Sequence, residues 1–147
     1  MGRLARWTAW AGLLLFILFY PMLISIYVTL PLFIGYAGWQ VLKGIDGAGW
    51  RHLFYPMLYL LNLEINLSLP LFLTLAAVLM YYLLFYPSVL FLKRCPVCVA
   101  IFSVVLIDLI YLGLIMVYDF IFGAGSIEVN LLLLYSLAMD LLAVVIL

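Results

Sequence analysis

Charge is what this chain lacks. Asp, Glu, Lys and Arg together make up 8 % of its 147 residues, against about 25 % in soluble domains. Six basic residues balance six acidic ones, so no basic footprint points to a nucleic acid partner. Two cysteines are too few for the disulfide framework of a small secreted domain. The lone His52 leaves a zinc site built on those cysteines one ligand short, and it gives a haem between helices no axial pair. No phosphate-cradling glycine loop, catalytic triad or metalloprotease signature occurs. We therefore expect no metal, no cofactor and a role other than catalysis.

What is present is apolar. Hydrophobic residues make up 71 % of the chain and the mean hydropathy is +1.41. A chain this short has a large surface for its volume and cannot hide that much apolar area from water. The bilayer must be its solvent, and the fold class expected is an all-α, polytopic membrane bundle forming a single domain over residues 1–147. Arg3 and Arg6 precede an apolar run in the manner of a signal peptide, but the run continues far beyond an h-region of about 7–15 residues. It reads as a first span that is retained.

Three apolar runs cover residues 8–42, 53–92 and 99–147. One helix over the second would reach about 60 Å, twice a hydrocarbon core of roughly 30 Å, so the second and third runs must break. The third breaks at Gly123-Ala124-Gly125-Ser126, with Glu128 and Asn130 just beyond. In the second, Asn62-Leu63-Glu64-Ile65-Asn66-Leu67-Ser68 alternates polar and apolar residues, the period of an extended segment. Pro70 then opens a helix, with Ser68 as its N-cap. Glu64 with the two asparagines reads as a solvated outer turn, its single carboxylate a weak basis for a cation site.

A repeat runs through the first half. Leu18-Phe19-Tyr20-Pro21-Met22-Leu23 recurs as Leu53-Phe54-Tyr55-Pro56-Met57-Leu58, and Leu30-Pro31-Leu32-Phe33 recurs as Leu69-Pro70-Leu71-Phe72. Internal repeats interrupted by proline can mark transporter halves, although few residue types make chance recurrence easy. The resulting spans are 8–28, 31–42, 53–61, 70–92, 99–122 and 131–147, with 31–42 and 53–61 short or re-entrant. If both short arms cross, Arg3, Arg6, Lys43, Arg51, Lys93 and Arg94 share one face. The positive-inside rule then favours six spans over four and puts the termini and residues 93–98 in the cytoplasm of a bacterial or archaeal plasma membrane.

Lys93-Arg94-Cys95-Pro96-Val97-Cys98 puts a CxxC at a helix start. There the helix dipole and two cations would favour a reactive thiolate. This stretch resembles the DsbB and vitamin K epoxide reductase families, in which a CxxC at the mouth of a membrane helix passes electrons to a quinone. Those families use a second cysteine pair, which this chain does not have. A cytoplasmic hinge also stands on the reducing side, so two ordinary interfacial thiols are the plainer expectation.

Asp108 and Asp119 are three turns apart on one helix face, with Tyr111, Ile115 and Phe122 near the stripe. Asp140 lies mid-way along the last span, four residues after Ser136 and within hydrogen-bonding reach of it. A carboxylate in hydrocarbon costs at least about 2.5–3.5 kcal/mol. Asp108 and Asp140, the deeper acids, must therefore face a partner helix, a wet cavity or a shared proton. Gly113 followed by Tyr118-Asp119 and Gly123 is similar to the Gly-rich Asp helix of MreD-type cell-shape proteins, small multi-span scaffolds.

With almost nothing projecting into water, the partners expected are the lipid bilayer and other membrane helices. The leading expectation is a non-catalytic subunit or scaffold of a membrane complex. A small transporter using Asp108 and Asp140 follows, and then a thiol oxidoreductase using Cys95 and Cys98.

Overall fold

A computed structural model describes residues 2–27, 29–123 and 131–146, the side chains of 131–133 excepted. Every regular element in them is helical. Helices α1 (Gly2–Ile26) and α6 (Pro96–Phe122) are long and apolar enough to cross a membrane. Helices α4 (Leu73–Leu84) and α5 (Tyr86–Val89), followed by a 3-10 turn at Leu90–Leu92, make a third span if their 56° bend is counted as one. The all-helical class stands, with two or three helices long and apolar enough to cross; these do not establish the expected bundle of six spans, two of them short or re-entrant. Helix α2 (Ile34–Lys43) has 10 residues, α3 (Trp50–Asn66) has 17 and α7 (Leu131–Ile146) has 16. The break expected at residues 123–126, together with Glu128 and Asn130, lies mostly outside the described residues; Gly123, at φ 62°, ends α6 in the left-handed region.

The short arm at residues 31–42 forms a helix enclosed by its neighbours. As α2 it is the centre of the molecule, packed against α3, α4, α6 and α7. Its residues Gly35, Ala37 and Gly38 let neighbouring helices approach closely. A Cβ at Gly38 would stand 3.0 Å from both Ile107 of α6 and Val78 of α4. At about 1.5 Å per residue α2 is about 15 Å long, so its amino end lies half a bilayer away from Lys43. A π-helical turn (Gly44–Ala48) and Gly49, at φ 114°, then reverse the chain into α3.

Residues 62–66 are helical, not extended, because their polar side chains have partners inside the protein. Proline at position 21 removes the N–H that the Ile17 carbonyl would otherwise receive. Asn62 Nδ2 reaches across from α3 and donates to Ile17 O and Leu18 O, each at 3.0 Å. Asn66 Nδ2 donates back to Asn62. Glu64 is fully buried, so the solvated turn expected there is absent. The helix expected to start at Pro70 starts at Leu73, and its N-cap is Phe72, not Ser68.

The sequence repeat carries the same local structure twice. Phe33 before α2 and Phe72 before α4 are both N-caps in the left-handed region, at φ 51° and 66°. Each ends a Leu-Pro-Leu-Phe turn, and each opens a helix that turns back into the bundle.

The described contacts also gather the basic ends of the helices. Trp10 of α1 stacks on Tyr55 of α3 at 5.3 Å, and the Arg51 guanidinium lies 4.6 Å from the Trp10 ring. Lys43 lies 5.5 Å from the Trp39 ring. The Tyr86 hydroxyl of α5 donates to Asp46 in the π-turn, bringing the segment before Lys93 and Arg94 to the same end.

Candidate functional site

Two helices beginning inside the bundle have their amino ends met by a carboxylate, and the repeat makes these ends comparable. A helix start exposes unpaired N–H groups and a partial positive charge. At α4, Pro70 O takes one of the exposed amides and Glu64 takes two. Its Oε2 accepts from Phe72 N at 2.7 Å, and its Oε1 accepts from Thr74 N at 2.7 Å and from the Thr74 hydroxyl at 2.6 Å. The Tyr111 hydroxyl, buried nearby, has no hydrogen-bond partner.

At α2 the acid comes from α7. Asp140 Oδ2 accepts from Gly35 N at 3.2 Å, and the Tyr36 amide lies close to the same carboxyl. Gly35 stands two residues after Phe33, as Thr74 does after Phe72, so the repeat presents the same backbone donor to both acids. Asp140 does not stand alone. The Asp108 carboxyl of α6 lies against Gly35 at the same helix end and interacts electrostatically with Asp140. A Cβ at Gly35 would come within 2.7 Å of both Asp108 carboxyl oxygens.

Asp140 is 1 % exposed, and Asp108 Oδ2 and Asp140 Oδ1 are buried without partners. Three neighbours hold the turn leading into α2. Tyr20 donates to Pro31 O at 2.9 Å, Tyr59 to Leu32 O at 2.7 Å, and Leu32 N to the Ser136 hydroxyl at 3.2 Å. Ser136 thus serves the turn instead of Asp140, the partner its spacing suggests. Asp119 is half-buried near the end of α6 and is not part of the pair.

Gly35→Ala should separate α2 from α6 or swing Asp108 aside. We expect a loss of about 1–3 kcal/mol, the usual cost of overpacking. A lowered unfolding midpoint in mild detergent checks this; unchanged stability would contradict the close approach.

Cys95 caps α6. Its sulfur accepts from Cys98 N at 3.3 Å, and the two cysteines are joined as a disulfide with Cα atoms 5.2 Å apart. The first helical turn brings positions i and i+3 into bonding range, so the two sulfurs can pair when oxidised. Cytosolic thiols are held reduced. With this end in the cytosol, a membrane-permeant maleimide should label both cysteines in intact cells, whereas protein oxidised during purification should need prior reduction. A pair resistant to the reagent in cells would put this end on the oxidising side.

Among the described residues, no cluster of three or more His, Cys, Asp or Glu could hold a metal ion. A groove of about 820 Å³ lies between α1, α2 and α3, with Ala143 of α7 at its edge. The sequence offered no sign of it, because its walls come from four separate segments. No protein-family model matches the chain, and neither a curated protein nor a solved structure matches it.

Proposed function

We propose that this chain is a small membrane transport protein in which Asp108 and Asp140 bind and release a proton. The observation that carries the reading is the contrast with Glu64. Buried polar groups kept only for packing are hydrogen-bonded, and Glu64 meets that standard through three donors. The acid pair leaves one oxygen on each carboxyl unpartnered, at the amino end of a half-length helix. Half-helices that begin inside the membrane and aim their amino ends at an anionic group recur at the substrate and ion sites of transporters. Two carboxylates side by side in a low dielectric repel each other strongly, so a proton shared between them relieves the pair.

In this reading the proton enters the pair from one side and leaves to the other, and α2 stabilises the charge left behind. On this reading the chain crosses six times, with the arms at residues 31–42 and 53–61 as the short passes. The cation-rich end is cytoplasmic, as the positive-inside rule implies. The subunit role expected from composition asks nothing of these two acids, and packing alone would favour satisfying them.

The test is proton flux into vesicles reconstituted with the purified protein, read with an entrapped pH-sensitive dye under an imposed potential. Flux above that of empty vesicles supports the proposal. Flux at the level of empty vesicles, with a second membrane protein co-purifying in fixed ratio, would favour the subunit role instead.

A further inference from the structure

The groove beside α2 is built like the seat of a lipid. Its volume of about 820 Å³ falls within the roughly 300–1,000 Å³ of small-molecule sites. Leu13, Phe16 and Ile17 of α1 form one wall, and Phe33, Tyr36 and Ala37 of α2 form the floor. Helix α1 packs chiefly on α3, while α7 packs on α6 and α2. The space between α1 and α7 is therefore left to the groove, facing the lipid side of the bundle.

Its polarity is confined to one end. Gln40, Arg51 and His52 stand at the mouth beside the Ala48–Gly49 turn, and His52 Nδ1 lies 3.2 Å from Gln40 Oε1. Arg51 stacks on Trp10 by its face and makes no ion pair among the described residues, so its edge donors remain free. A guanidinium held flat in this way presents the fork that suits a phosphate. The acid of the turn, Asp46, accepts from Tyr86 of α5 and is not among the residues lining the groove.

We propose that this groove binds an anionic phospholipid, with its phosphate at Arg51 and His52 and one acyl chain along α1 and α2. The chain ends near Tyr59 and Ala143, one helical turn beyond Asp140, and shields that side of the acid pair from bulk lipid. The inference does not rest on proton transport, because binding is read without a gradient.

The experiment uses the full chain in nanodiscs of zwitterionic phosphatidylcholine. Phosphatidylglycerol with brominated chains is titrated in, and quenching of tryptophan fluorescence is followed; Trp10 and Trp50 line the groove. We expect saturable quenching at about a tenfold lower mole fraction than with brominated phosphatidylcholine, the scale of one charge-assisted hydrogen bond. Arg51→Gln should bring the two curves together. Ala143→Phe, which fills the deep end, should reduce the saturable component for both lipids. Coincident curves in the wild type, or a headgroup preference that survives Arg51→Gln, would overturn the proposal. Arg51 is exposed, so the decisive variant does not disturb the core.

Discussion

Asp140→Asn protein reconstituted in vesicles is expected to lose proton flux on the order of a hundredfold, the lower range for removing a positioned proton-transfer group, while melting no lower than wild type. The amide keeps the geometry. Its oxygen can accept from Gly35 N, and its NH2 can donate to Asp108. What it cannot do is take up and give back a proton. Removing one of two repelling acids also relieves the pair, so stability should hold or rise. Asp108→Asn should behave in the same way. Asp140→Ala should differ in stability, because the Gly35 amide would lose its partner at about 1–3 kcal/mol. Flux and unfolding midpoint measured on the same preparations check both halves; full flux in either Asn variant would remove the pair from the mechanism.

Glu64→Ala should do the opposite. This carboxylate satisfies two backbone amides and a hydroxyl at the start of α4, and each donor left buried without a partner costs about 1–3 kcal/mol. Partial collapse and water entry lower the sum, so we expect a loss of about 3–5 kcal/mol, as for breaking a buried charged network. That is enough to deplete the folded protein in cells. Thr74→Val removes only the hydroxyl donor and should cost about 1 kcal/mol. Unfolding midpoints in mild detergent should rank wild type above Thr74→Val and Thr74→Val above Glu64→Ala. An Ala variant as stable as wild type would mean that Glu64 does not hold α4.

The two carboxylates that differ so sharply here were not equally legible in the sequence. Asp108 and Asp140 stood out because hydrocarbon surrounds both, and their isolation from Lys and Arg pointed to each other or to a proton. Glu64 was misread because its neighbours alternate with Asn62 and Asn66, a local pattern of extended chain. The partners in this stretch are tertiary: the Ile17 carbonyl freed by Pro21 accepts from Asn62, and the amino end of α4 donates to Glu64. Local periodicity carries no information about such partners. The repeated Leu-Pro-Leu-Phe was visible, but its left-handed phenylalanine caps were not, since nothing in a phenylalanine announces positive φ. The central place of α2 had a signal that its length obscured. Gly35, Ala37 and Gly38 are the small residues that close helix packing requires, and the close approach of Gly35 to Asp108 is what seats the acid pair on the helix end.

The most direct test of the account is infrared spectroscopy of the carboxylic acid C=O stretch, with Asp108→Asn and Asp140→Asn as assignments. The account predicts a protonated carboxyl band at neutral pH that either substitution removes or displaces, and that shifts promptly when the membrane is transferred to D2O. A band that stays unshifted in D2O would mean a sealed structural proton. No protonated carboxyl band at all would mean that the pair holds no proton to move.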